Sequence, residues 1–268
     1  MRLSKLTATV IATAALGLIV GTASASEGPE LKHVEFSFEG VFGTYDKAAA
    51  QRGFQVYQES CTNCHSMKLL SIRNLGEAGG PFYDEEHPNA NENPVIKAIA
   101  AMFTVTDGPD SEGDMFERPA KPFDRFPSPF ANEQAARASN GGALPPDFSV
   151  LVSAREHGPQ YIYSLLTSYE DDAPEGVELR DGMNYNAAFK GGQIGMPPPL
   201  FEDLVEYSDG TKASVEQMAH DVVTFMAWAS DPKMEERKRM GWMVMIYLFI
   251  FALLMYGSYK AVWRDVEH

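Results

Sequence analysis

The sequence predicts a mainly α-helical exported domain with long loops, followed by one C-terminal transmembrane helix. Three observations carry this. Residues 46–59 (DKAAAQRGFQVYQE) and 214–230 (SVEQMAHDVVTFMAWAS) place apolar side chains at helical spacing. Residues 241–259 (GWMVMIYLFIFALLMYGSY) hold no charge over 19 positions. The stretches 77–94 and 106–130 are rich in Gly, Pro, Asp and Glu, the composition of long loops.

Residues 1–25 read as a cleaved secretory leader. Arg2 and Lys5 form a basic head, Leu6 to Val20 is a short alanine-rich apolar run, and Ala23-Ser24-Ala25 is a small-x-small cleavage site. The alternative is a retained N-terminal anchor. The exported domain then covers 26–232. Residues 27–44 are expected to form an irregular, strand-prone arm. Asp46 can cap the helix over 46–59, where Phe54 and Tyr57 fall at i, i+3. Short helices are expected at 94–104, near 131–139 and near 159–168, with a further loop over 170–200. In 214–230, Ser214 is the N-cap and Val215, Met218, Ala219, Val222, Met226 and Ala227 form the apolar stripe. Asp231-Pro232 breaks the path into the anchor, 233–260. At 1.5 Å per residue the uncharged stretch roughly matches a hydrocarbon core. Trp242, Tyr256, Tyr259 and Trp263 sit near its ends, where amphipathic rings prefer to lie. Residues 261–268 make a short cytoplasmic tail. The outer flank (Lys233, Arg237, Lys238, Arg239) is more basic than the tail (Lys260, Arg264), against the positive-inside rule. The translocated domain overrides it, and the outer charge is left for lipid headgroups or a neighbouring subunit.

The chain carries 22 Lys+Arg against 37 Asp+Glu, a net charge of −15. Setting aside the two basic residues of the leader, and the six basic and four acidic residues after 232, leaves 14 basic and 33 acidic in the domain, a net of −19. A phosphate binder needs a basic face, so nucleic acid is excluded as a partner. The acidity suits a cationic partner, or simply a solvated surface.

The only two cysteines, Cys61 and Cys64, lie in CTNCHSMK with His65 directly after them. A dithiol exchanger wants this spacing at a helix start in a βαβ context, but here it ends a helix without strand alternation around it. Structural zinc wants four soft ligands, and no other cysteine exists. Covalent attachment of haem c needs what is present: two thiols for the vinyl groups and an adjacent imidazole for the iron. The sixth iron position decides the function. A thioether closes it and favours electron transfer, whereas an open position suits a haem enzyme or sensor. Met196 lies in GGQIGMPPPL, where Gly191, Gly192 and Gly195 allow close approach to a flat ligand and Pro197 to Pro199 stiffen the strap. Met183, in RDGMNYN, is the rival. A ligating histidine usually donates its other N–H, and a carbonyl in Ala143-Leu144-Pro145-Pro146 is the candidate acceptor, an ordinary turn being the alternative. Arg155, in SAREHG, with Tyr161 nearby, is the candidate propionate partner, against an ordinary surface arginine.

The ordered set RGFQVYQESCTNCHSM, GALPPDFS, SAREHG, YIYSLLTSYE, GQIGMPPPL and RKRMG before a single anchor resembles cytochrome c1 over nearly all of 34–265. The resemblance implies an elaborated class I cytochrome c domain with one C-terminal transmembrane helix and one covalent haem c per chain. It implies that Cys61 and Cys64 bind the vinyls, that His65 and Met196 ligate the iron, and that Arg155 and Tyr161 lie near a propionate. The implied setting is a dimeric cytochrome bc1 complex in a bacterial inner membrane, in contact with lipid, with the haem domain in the periplasm. There the chain would take an electron from the Rieske iron–sulfur protein, beside cytochrome b, and pass it to a soluble basic cytochrome c. It is then no enzyme on its own but a redox subunit that holds a centre at the right potential and distance. The alternative is a stand-alone anchored cytochrome c feeding a terminal oxidase. Some bacterial members carry a second cysteine pair pinning the loop before the methionine. This chain has none, and its 170–195 loop is short.

Overall fold

The computed structural model describes residues 29–265. The expected leader, 1–25, and the end of the expected tail lie outside them. Leu31 onward forms one compact unit. Its elements in chain order are α1 (Lys47–Val56), continued by a π-helical turn (Tyr57–Cys61), a 3₁₀ turn (Ile72–Gly76), α2 (Pro94–Ala101), β1 (Thr104–Asp107), β2 (Phe116–Pro119), α3 (Glu133–Ser139), α4 (Gly158–Thr167), β3 (Asn184–Tyr185), β4 (Gln193–Ile194), α5 (Val215–Ser230) and α6 (Met234–Val262). The mainly helical class holds.

The caps lie where the sequence puts them. Asp46 accepts from the Ala49 N–H, and Ser214 from the Gln217 N–H. Asn93 accepts from Val95 and Ile96 and starts α2, with Pro94 at its first position. Three expectations are corrected. The described part of the arm, 29–44, is irregular as expected but forms turns and no strand, and the loop over 170–200 includes the short antiparallel pair β3 and β4. The stretch 106–130 is not all loop: β1 and β2 pair antiparallel, Thr104 opposite Pro119 and Asp107 opposite Phe116. Arg118 fixes this hairpin by bridging Asp107 and Asp124.

The core is the crossing of α1 and α5. Gly53 lies at the contact, where a Cβ would fall 2.0 Å from the Asp221 carbonyl oxygen, so only glycine allows the approach. Beside it Arg52 reaches the fully buried Asp221 at 2.8 Å and Asp209 at 2.8 Å. Burial on α5 extends beyond the expected stripe to Thr224, Phe225, Trp228 and Ala229, because α4 and the 70s–80s loops cover its other sides. From Phe225 a run of aromatic contacts leads through Tyr57 (5.6 Å) to Phe148 (5.9 Å) and so to the cysteine motif. Asp231 ends α5 as expected, and α6 restarts at Met234. Among the described residues α6 is the one helix long and apolar enough to cross a membrane. Two of its four basic flanking residues are used within the chain. Arg237 pairs with Asp231 at 2.6 Å, and Lys238 donates to the Phe38 and Gly43 carbonyls.

Candidate functional site

The site begins at the C-terminal end of α1. The π-helical turn widens the backbone, and the N–H groups of both Cys64 (3.1 Å) and His65 (2.9 Å) converge on the Cys61 carbonyl. One closed turn therefore presents two thiols and an imidazole together. The two sulfurs are not joined as a disulfide. Burial, then the neighbouring Cys64, pushes the Cys61 thiol up to about 12, so it stays neutral.

His65 is buried and stacked on Phe148, ring centroids 4.3 Å apart. Its Nδ1 lies 2.8 Å from the Pro146 carbonyl oxygen. A carbonyl only accepts, so Nδ1 carries the proton and Nε2 keeps its lone pair. Burial lowers the pKa of the ring, with the Pro146 bond opposing it, so the imidazole is neutral. This is the tautomer and charge that a metal-ligating histidine needs. The Pro146 segment is itself held. Asp147 accepts from Ser66 Oγ at 2.7 Å, the Lys68 N–H at 3.0 Å and the Ser149 N–H at 2.9 Å.

The Met196 strap reaches the same region. Ser60, next to Cys61, donates through Oγ to the Pro199 carbonyl at 2.8 Å. The Met196 carbonyl accepts from the Tyr169 hydroxyl at 3.1 Å and from Asn184 Nδ2 at 3.3 Å. Strands β3 and β4, Asn184 opposite Ile194, lead straight into the strap. A Cβ on Gly195 would meet Ala143 at 3.5 Å, so the strap runs beside the segment that leads to Pro146. The Met183 sulfur also lies near, 3.9 Å from that same point. The two methionines are thus neighbours, and the hydrogen-bonded clamp falls on Met196.

Arg155 is exposed and Tyr161 half-buried on α4. Burial raises the Tyr161 hydroxyl, and the Arg155 charge nearby opposes it. Tyr161 in turn adds to the rise that burial imposes on Tyr169. Arg155, Tyr161 and Tyr169 thus lie within electrostatic reach of one another, and Tyr169 bonds the Met196 carbonyl. Ser60, Phe148, Tyr169 and Asn184 are members of the site that sequence reasoning missed. Their partners lie far along the chain, and no local pattern marks them.

The residues fit a covalently held haem. The Cys61 and Cys64 thiols, a neutral imidazole with Nε2 free to ligate, and a clamped methionine strap meet on a helical scaffold. The fold and site define a class: c-type haem proteins with an apolar C-terminal anchor helix. The chain matches the Cytochrome C1 family over residues 36–266 and belongs to that family. It is 42% identical to cytochrome c1 of Rhodospirillum rubrum, over 96% of this chain and 97% of the relative. It is 47% identical to "Cytochrome c1 1, heme protein, mitochondrial" of Arabidopsis thaliana, over 88% of this chain and 73% of the relative. It is 45% identical to "Cytochrome b/c1" of Bradyrhizobium diazoefficiens over 86% of this chain, which spans 35% of that longer protein. The chain is accordingly a membrane-anchored subunit of the cytochrome bc1 complex that carries haem c and transfers electrons.

Proposed function

We propose that Cys61 and Cys64 would hold the haem through thioethers to its vinyls, and that His65 and Met196 would ligate its iron. The haem supplies a one-electron centre. The protein holds it, shields it and sets its potential. The observation that carries this reading is the 2.8 Å contact between His65 Nδ1 and the Pro146 carbonyl. It orients the ring and dedicates Nε2 to a metal. The clamp on the Met196 carbonyl supports a closed sixth position, which excludes water and external ligands from the iron. Arg155 and Tyr161 lie on the propionate side of the site. The acceptor of electrons is a soluble basic cytochrome c, drawn by the acidic domain. The donor is a Rieske-type iron–sulfur protein. The haem domain lies on the periplasmic side after export and removal of residues 1–25, with cytochrome b beside the anchor in a dimeric complex. The name of the Bradyrhizobium relative, "Cytochrome b/c1", supports the association with cytochrome b.

The direct test is the spectrum of the reduced protein under carbon monoxide. An unchanged spectrum supports a closed Met–His site, and ready binding refutes it. Purification in mild detergent checks the setting. A b-type cytochrome and an iron–sulfur protein should accompany the chain, and a stand-alone cytochrome would come alone.

A further inference from the structure

We infer that the loop Gly40-Val41-Phe42-Gly43 is a second membrane contact, seated in the headgroup–acyl boundary beside the start of α6. This rests on reading α6 as the membrane span. The loop bears two exposed apolar side chains, Val41 at 62% and Phe42 at 80%. Phe42 stacks parallel on Trp242, ring centroids 5.1 Å apart. Trp242 opens the uncharged stretch of α6, the level at which indole rings partition into the interface. The inner face of Phe42 is therefore fixed against an interfacial residue while its outer face is uncovered.

The height of the loop is also fixed. Lys238, one helical turn before Trp242, donates to the carbonyls of Phe38 at 2.8 Å and Gly43 at 2.9 Å, bracketing the loop. The Tyr45 N–H donates to Glu235 at 2.8 Å, and the Tyr45 hydroxyl reaches the Ala227 carbonyl at 3.1 Å. The tip contains no charge. The one acidic residue beside it, Glu39, is turned back to Gln160 and to the Phe36 N–H. A loop exposed to water has no need of this arrangement. A loop that enters an apolar boundary does, because a charge there is costly. The exposed Arg239 and Lys233 in the adjoining turns suit the phosphate layer just outside. Together these favour lipid over a protein partner. The contact would fix the tilt of the haem domain over the membrane, which a single helix alone leaves free.

The test uses the full-length holoprotein in nanodiscs of phosphatidylcholine and phosphatidylglycerol, and then the intact complex. Nitroxide labels are placed on Val41→Cys, on Leu248→Cys within the span and on Glu112→Cys in an exposed loop. The unsubstituted holoprotein sets the background labelling. Collision with oxygen is compared with collision with a water-soluble nickel chelate. The expected oxygen-to-nickel ratio at position 41 is several-fold above that at 112 and below that at 248, in both preparations. A water-like ratio at 41 with a lipid-like ratio at 248 overturns the inference and leaves the span intact. A label at 41 shielded from both reagents in the complex assigns the surface to another subunit and also overturns it. A water-like ratio at 248 overturns the span and the inference together.

Discussion

The imidazole of His65 and the carbonyl of Pro146 meet at 2.8 Å across 81 residues of chain. Asp147 is what holds that carbonyl in place, since its carboxylate gathers Ser66, Lys68 and Ser149. Hydrogen bonds to a charged acceptor contribute about 2 kcal/mol. Asp147→Ala should therefore lower stability by roughly that amount. It should also shift the midpoint potential and the low-spin electron paramagnetic resonance signal, because the ring is no longer held in one orientation. A loss of stability with an unchanged signal would restrict Asp147 to a structural role.

The strap carries its own prediction. Burial, then Tyr161, keeps the Tyr169 hydroxyl protonated, so it can donate to the Met196 carbonyl alongside Asn184. Tyr169→Phe and Asn184→Ala should each remove about 1 kcal/mol. The double variant should bind carbon monoxide in the reduced state where the parent does not. Ser60→Ala, which frees the Pro199 carbonyl, should act in the same direction. Carbon monoxide titration of the reduced variants checks this.

The buried ion pair predicts a pH dependence. Burial alone would raise the Asp221 carboxyl, but the nearby His220, 3.9 Å away, and hydrogen bonds from Arg52 and Gln217 outweigh it and hold the carboxyl below its usual range. A carboxyl lowered by folding stabilises the native state above its unfolded pKa. That contribution is lost as pH falls through the folded value. Asp221→Asn should cost about 3 kcal/mol at neutral pH, since Arg52 loses its buried partner. It should also lose less further stability in acid than the parent does. Denaturant melts at neutral and acidic pH measure both, and parallel acid losses would contradict the assignment.

The hairpin sorts the acidic residues. Asp107 is tied to Arg118, and Asp110 accepts from the Glu112 and Asp114 N–H groups to shape the tip. Glu112 and Glu117 are exposed and make no ion pair among the described residues. Glu112→Gln with Glu117→Gln should lower the rate of reduction of a basic cytochrome c and flatten its dependence on salt. Screening removes such attraction beyond about 10 Å at moderate ionic strength. Asp107→Asn should mainly loosen the hairpin. Stopped-flow rates across a salt series test this, and a parent rate flat with salt would end the steering account.

Much of this was legible because local signals agreed with the fold. Asp46 and Ser214 announce helix starts, and 3.6-residue spacing marks α1 and α5. The haem motif and the Pro146 carbonyl were readable for the same reason, since each is a short segment with its own chemistry. The β1–β2 hairpin was not. Its strands are four residues long, little of either is buried, and Arg118 stabilises it through Asp124, which lies outside both strands. Phe148 against His65 and Ser60 against Pro199 depend on contacts that only the folded chain creates. The basic flank of α6 read as a topological anomaly until Arg237 and Lys238 were seen to serve the domain itself.

The central claim is that Met196, with His65, would ligate the haem iron. Its most direct measurement is the midpoint potential of Met196→Leu beside Met183→Leu. The account predicts a fall on the order of 100 mV or more for Met196→Leu, within the roughly 0.8 V that axial ligands set, and a near-parental value for Met183→Leu. An unchanged potential in Met196→Leu, with a fall in Met183→Leu, would contradict it and transfer the ligand role to Met183.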